Sequence, residues 1–359
     1  MNVKKVFAVI FSAIVVVNYS HAGNPDRTGE SGAYELLVNP WARTNGLNTM
    51  NSSRVEGLEA MNLNVAGLTF AKKTQIAFSR LHLLQGSQVY FNSFGLAQPL
   101  GKFKENVLGV TFTSVDLGEI ERTLTTNPEG GIGTFSPSFL NIGIAYSRAF
   151  SESIRGGVVF RLINQRIDDL SASGFALDAG IQYVTGKREN IRFGISLRNV
   201  GTPMKYAGNG LTFRGSAPQG DFLMSQNMRT ERFQLPTQLN IGGSYDFLIG
   251  PDKEIGKHLH RATITANFTS NAFGKDHIGG GVEYSFRELF VVRGGYRYEN
   301  GLFQVEERTN AHTGISAGMT VNVPLSKKKK DGPMLGIDYA YRTSNPFSGT
   351  HCFGARINL

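Results

Sequence analysis

The chain has 359 residues, enough for two ordinary soluble domains or one large barrel, and its composition is 40% hydrophobic but only 18% charged, with 43 glycines, 25 phenylalanines and 12 tyrosines. Such a balance suits strands with one wet face and one lipid face. The formal net charge of +9 does not indicate nucleic-acid binding, because the basic residues fall mainly in turns and at alternating strand positions rather than in one patch, and the single cysteine, Cys352, excludes an intramolecular disulfide.

Lys4 and Lys5 precede an apolar run from Val6 to Val17, and Ser20-His21-Ala22 offers the small residues a signal peptidase reads. Residues 1–22 are therefore expected to be a signal peptide, cleaved after Ala22. That run is too short to cross a bilayer as a helix, and no later segment supplies the roughly 20 apolar residues a spanning helix needs. An exported chain of this kind is secreted, periplasmic or an outer-membrane barrel.

Residues 23–73 read as a polar leader followed by a short plug-like element. Ser52-Ser53 ahead of Arg54 to Met61 predicts a short capped helix, with Glu56 three residues beyond Ser53 as in a capping box, and Asn64-Val65-Ala66-Gly67-Leu68 predicts a turn. Leu36, Leu37, Val38, Trp41 and Leu47 need somewhere to be buried, so the element is expected to fill a lumen or pack at one end.

Residues 74–359 predict about fourteen strands, an even number as bacterial single-chain barrels require. They fall at 74–83, 89–100, 106–117, 140–150, 154–167, 174–184, 191–200, 236–247, 261–271, 276–286, 289–299, 312–323, 333–342 and 351–359. Most are long enough to cross the hydrocarbon layer as tilted strands. In the hairpin His277 to Glu299, Ile278, Val282, Tyr284, Val292, Tyr296 and Tyr298 alternate with Glu283, Arg293 and Arg297. Successive side chains point to opposite faces, which gives the apolar-out, polar-in pattern of a transmembrane barrel. Short turns such as Gly101 to Glu105 and Arg287-Glu288 alternate with long loops such as Gly118 to Phe139 and Gly201 to Leu235. With both termini periplasmic, the short set would be the periplasmic turns. The fold class expected is thus all-β, a transmembrane antiparallel barrel with an N-terminal plug-like element.

Chemistry-bearing motifs are sparse. Gly314-Ile315-Ser316-Ala317-Gly318 matches the nucleophile-elbow pattern but lies inside an alternating strand, which makes it a chance match. His258-Leu259-His260 offers two imidazoles without further ligands, and Lys327 to Lys330 reads as a solvated turn near anionic headgroups. No catalytic, cofactor or metal residues are assigned, and no enzyme activity is expected. The Gly201 to Leu235 loop carries more apolar bulk than an exposed loop should, including Met204, Tyr206 and Phe233. Within it, Phe213, Arg214, Phe222, Met224 and Met228 are the candidate partner-binding residues, and Arg54, Asn64 and Gly67 mark the plug-like turn.

Ala42-Arg43-Thr44-Asn45-Gly46, the Asn64 to Leu68 turn, Gly281 to Phe286, Arg293 to Arg297 and Asp338 to Tyr341 together resemble the PorV/PorQ family of Bacteroidota outer-membrane proteins, relatives of the FadL-type barrel. The resemblance covers essentially the whole mature chain, with Val65 standing where the family usually has proline. It implies a role in type IX secretion, with a large outer-membrane translocon protein and secreted cargo as partners and outer-membrane lipid around the barrel. A FadL-like transporter of hydrophobic small molecules is the alternative. The inward charges, Asp178, Arg192, Arg198, Glu283, Arg293, Arg297, Asp338 and Arg356, are expected to pair and fill the lumen rather than leave a greasy path.

Overall fold

The structure, a computed structural model, describes residues 23–101, 103–216, 222–251, 258–326 and 332–359. The expected signal peptide and the four-lysine run lie outside the described residues. Among those described, fourteen long strands and the two-residue strand Ala207–Gly208 form one antiparallel sheet; the long strands begin with β1 Gln75–Leu83, β2 Val89–Leu100, β3 Asn106–Asp116, β4 Ser138–Ala149, β5 Ile154–Ile167, β6 Leu170–Thr185 and β7 Ile191–Gly201. The second half comprises β8 Gln238–Pro251, β9 His258–Asn271, β10 His277–Phe286, β11 Phe290–Glu299, β12 His312–Pro324, β13 Met334–Ser344 and β14 Thr350–Asn358. Each pairs with its sequence neighbour, and β14 pairs back onto β1 with Leu81 opposite Cys352, so the sheet closes into a barrel without a free edge.

Alternation sets the two faces. On β6, Phe175, Leu177, Ile181 and Tyr183 are exposed on the outer wall, while Ala176, Asp178, Gly180 and Gln182 are buried inside. Register carries the pattern across strands, aligning Phe78, Phe94, Phe112 and Ile142 in one outward row. Two connections are tighter than the sequence predicts. The β5–β6 link is only residues 168–169, and β8 and β9 extend toward each other as far as Pro251 and His258.

The segment before β1 threads the lumen. Gly23 N donates to Asp276 Oδ2 at 2.6 Å and Gly32 N donates to Gln234 O at 2.9 Å, which places its start at the long-loop end. A short helix at Ala42–Gly46 then packs on β11 to β14, and 3-10 helices at Gly57–Asn62 and Val65–Phe70 pack on β1 to β6. At the other end Leu359 N donates to Thr74 O at 2.9 Å. The first described residue and the C-terminus therefore lie at opposite ends, which corrects the expectation that both termini share the short-turn end.

Of the capped helix predicted from Ser52 to Met61 only the second half is helical, as the 3-10 helix Gly57–Asn62, and Ser52 and Ser53 do not cap it. Gly57 takes a left-handed φ of 70°, and the Glu56 side chain turns to Arg54 and Arg192 instead of capping. Ser53 Oγ has no hydrogen-bond partner among the described residues. Asn64, predicted in a turn, is a cap: its Oδ1 accepts from Ala66 N at 3.2 Å at the start of Val65–Phe70.

Candidate functional site

Inside the barrel the N-terminal segment meets a charged wall in the short-turn half and, in the long-loop half, an apolar patch among further charges. The short-turn half locks the N-terminal segment to the wall with charge. Glu56 accepts from Arg54 and, at 2.6 Å, from Arg192 on β7, while Arg54 also reaches Asp246 on β8 at 3.4 Å. Arg43 pairs with Glu59 at 2.8 Å. Burial alone would raise the Glu56 carboxyl, but the guanidiniums of Arg54 and Arg192 outweigh it and hold the group well below the usual carboxylate range. Phe70 is sandwiched between Arg155 and Arg192, whose Cζ atoms lie 4.2 and 4.5 Å from its ring centroid.

Asn64 and Gly67 belong to this lock. Asn64 Nδ2 faces three carbonyls, Ser52 O at 3.0 Å, Ile181 O at 3.1 Å and Ile195 O at 3.4 Å, so one side chain bridges the segment to β6 and β7. A Cβ on Gly67 would lie 2.0 Å from Val55 O, so only glycine permits that approach. The three residues expected in a plug-like turn thus meet the same part of the lumen, although not in the predicted helix–turn geometry.

The lumen charges pair in part. Arg161 bonds Asp178 at 2.7 Å, and Glu283 accepts from Arg293 at 2.5 Å and from Arg261 at 2.8 Å. Arg198 and Arg356 make only neutral hydrogen bonds in the network described, to Gln238 and Leu36 and to Asn322 respectively. The expectation of a fully paired lumen is corrected to that extent. The remaining motifs are structural: Ser316 Oγ donates to Gly46 O at 3.1 Å, and Cys352 Sγ donates to Pro40 O at 3.2 Å. His260 Nδ1 meets Tyr284 Oη at 2.7 Å on the outer wall, and no group of three or more metal-ligating side chains occurs among the described residues.

The long-loop half is mixed: His277 meets Glu299 at 3.1 Å and Arg342 is buried nearby, while one side of it holds an apolar cluster. Leu36 of the N-terminal segment packs with Ile163 on β5, Ala172 and Ala176 on β6, and Met204 and Leu235 from the long β7–β8 loop, with Tyr206 and Phe233 against the cluster. One acid lies among them. Glu35 Oε1 accepts from Gln165 Nε2 at 2.8 Å, and Gln165 Oε1 accepts from Tyr206 Oη at 2.6 Å. Burial raises the Glu35 carboxyl, with only the Gln165 hydrogen bond and its own backbone opposing that shift. Above the cluster, Tyr206 also lines an open groove of about 320 Å³ with Lys205, Leu211, Asn227, Met228 and Thr230. Tyr206 therefore joins a groove at the surface to the apolar cluster beneath it.

The loop divides its apolar residues between two tasks. Met204, Tyr206, Phe233 and Leu235 turn inward, whereas Thr212–Ser216 and Leu223–Asn227 form a two-stranded ribbon standing outside. Phe213, Arg214, Phe222, Met224 and Met228 are all exposed on or beside it, so the candidate partner-binding residues share one projecting element. Alternation puts Ala176 on the inner face, but no sequence motif singles out Ile163, Ala172, Ala176 or Glu35 as a site. Nothing in their spacing signals that they meet.

No protein-family model matches the chain, and no curated protein matches it. Among solved structures it is similar to CymD, a monoaromatic hydrocarbon channel, at a TM-score of 0.53 and 12% identity over 89% of this chain and 96% of that one. It is also similar to the Pseudomonas putida toluene transporter TodX, at a TM-score of 0.56 and 11% identity over 89% of this chain and 97% of that one. These likenesses and the closed ladder define the class: an all-β, fourteen-stranded antiparallel barrel of the outer-membrane type. At such identities they establish the fold alone, and neither carries the PorV/PorQ resemblance.

Proposed function

We propose that the protein is an outer-membrane transporter of small hydrophobic molecules, closed from within by its N-terminal segment. The observation that carries this reading is the apolar cluster around Leu36, which lies beneath the Tyr206 groove at the long-loop end. The monoaromatic hydrocarbon channel and the toluene transporter of the same fold add support from outside the chain. With long loops facing outward, as in barrels of this type, the groove would open to the exterior.

The charged lumen, which argues against an open greasy conduit, constrains the route without opposing the proposal. A hydrophobic solute would not pass the ion pairs around Glu56. It would leave the Leu36 cluster sideways, beside the β6–β7 bulge between Leu177 and Ala179, once the Asp178 carboxylate that Arg161 and Asn199 N hold there moves aside. The locked short-turn half then keeps water and ions from crossing.

Uptake of radiolabelled toluene and of a long-chain fatty acid, measured in cells expressing the wild type and Leu36→Trp, tests this directly. Overpacking the cluster should lower uptake about fivefold or more while the barrel still assembles. Equal uptake in cells with and without the protein would overturn the transporter reading.

A second reading rests on the ribbon. Phe213, Phe222, Leu223, Met224 and Met228 expose more apolar surface than a solvated loop needs, which fits a protein partner and the type IX secretion role implied by the PorV/PorQ resemblance. Affinity purification without crosslinker should then recover a much larger outer-membrane protein. Recovery of such a protein together with unchanged solute uptake would favour this reading over transport.

A further inference from the structure

Among the described residues, the outer wall of the barrel carries a charged side chain where lipid contact is expected. On β1 the outward residues run Ile76, Phe78, Arg80 and His82, so polar side chains replace hydrocarbon over the last third of the strand. Other outward-facing charges in the described strands, Asp116, Arg148 and Arg166, lie at or next to strand ends. Arg80 lies three residues inside one.

Around Arg80 the neighbouring strands bring complementary groups. Register places Phe353 of β14 and Asn92 of β2 beside Arg80, and His351 and Tyr90 beside His82. The result is an open groove of about 300 Å³ lined by Arg80, His82, Gln85, Tyr90, His351 and Phe353. Arg80 Cζ sits 4.4 Å above the Tyr90 ring centroid, and the His82 and Tyr90 rings stack at 4.6 Å. His351 is held by Tyr339 Oη at 2.9 Å and by Gln85 Oε1 at 3.1 Å. No carboxylate lines the groove; Asp116, one strand beyond Tyr90, accepts from Gly118 N at 3.0 Å.

The Arg80 guanidinium makes a cation–π contact and no hydrogen bond among the described residues, and His82 Nε2 likewise has no partner among them. A guanidinium with unfilled donors on a lipid-facing wall is costly, and a charge-assisted bond to a phosphate oxygen removes that cost. We propose that this groove binds the phosphate of a phosphorylated outer-leaflet glycolipid. The guanidinium of Arg80 takes the phosphate, His82 and His351 border it, and Tyr90, Phe353 and the outward rows below them meet the acyl chains. The groove lies beside residues 84–88 and 345–349, at the long-loop end, which selects the outer leaflet. This site rests on the barrel being seated in an outer membrane and not on what the lumen or the ribbon handles.

Native mass spectrometry of the full-length protein in detergent, titrated with bis-phosphorylated lipid A, tests the proposal. Lipid A stripped of phosphate should bind about tenfold more weakly, and Arg80→Ala should lose a similar factor, while Arg148→Ala, at the opposite rim, should lose nothing. Arg80→Lys should retain part of the affinity, and heat-modifiable gel migration reports whether each variant is folded. Should Arg80→Ala fail to assemble, the comparison of the two lipid A forms on the wild type still decides the matter. Equal binding of the two forms, or undiminished binding by a folded Arg80→Ala protein, would overturn the site. Phosphatidylglycerol binding as tightly, with the same dependence on Arg80, would overturn its assignment to a glycolipid.

Discussion

Glu35 and Glu56 of the N-terminal segment respond to protons in opposite directions. Burial raises the Glu35 carboxyl above its ordinary 4.5, so the folded state holds the proton more tightly than the unfolded chain. Its contribution to stability is full at low pH and is lost as pH rises through the folded value. Glu56 is held below the usual range by Arg54 and Arg192 despite its burial, so its contribution is present above the unfolded value and is lost as pH falls. Amide hydrogen exchange corrected for intrinsic rates should show residues 33–38 loosening from acidic to neutral buffer. Glu35→Gln should abolish that trend, and Glu56→Gln should loosen residues 54–70 at neutral pH. No change with either substitution would mean that these carboxyls do not govern the seating of the segment.

At the scale of elements, the lumen-filling segment depends on close approach rather than on regular helix. Its 3-10 turns are short, and Gly67 allows the second of them to pass against Val55 O. Gly67→Ala should cost about 1–3 kcal/mol of local stability, because a backbone carbonyl cannot move aside as a flexible side chain can. Limited proteolysis should then cleave between residues 50 and 70 in the variant and not in the wild type. The strands themselves should stay protected, since their ladder does not involve Gly67.

For the whole molecule, the closed ladder predicts a heat-modifiable band and fractionation with the outer membrane. Removing residues 208–226 deletes most of the projecting ribbon and Gly208 of the two-residue strand on β6, but nothing of the fourteen long barrel strands. Heat-modifiable migration should survive that deletion while capture of any protein partner is lost. Loss of the folded band instead would show that the loop holds the barrel together, which its inward residues Met204 and Leu235, outside the deleted stretch, argue against.

Strands were legible because a period of two is written into consecutive residues, as in Phe175 to Tyr183, and needs no distant partner to be seen. The excess of apolar residues between Gly201 and Leu235 signalled that the loop had more than a linking task. Its division into an inward cluster and an outward ribbon was not legible, because Met204 and Met228 differ only in what lies beside them after folding. The helix predicted from Ser52 starts only at Gly57 for a related reason: Glu56 pairs with Arg54 and with Arg192, 136 residues away, rather than with Ser53. The sequence by itself determined the two faces of the wall, which follow from local backbone geometry. Only the tertiary structure decided what fills the lumen and what the outer wall presents, since Leu36 with Ala176, Asn64 with Ile195, and Arg80 with His351 become neighbours only when the ladder closes.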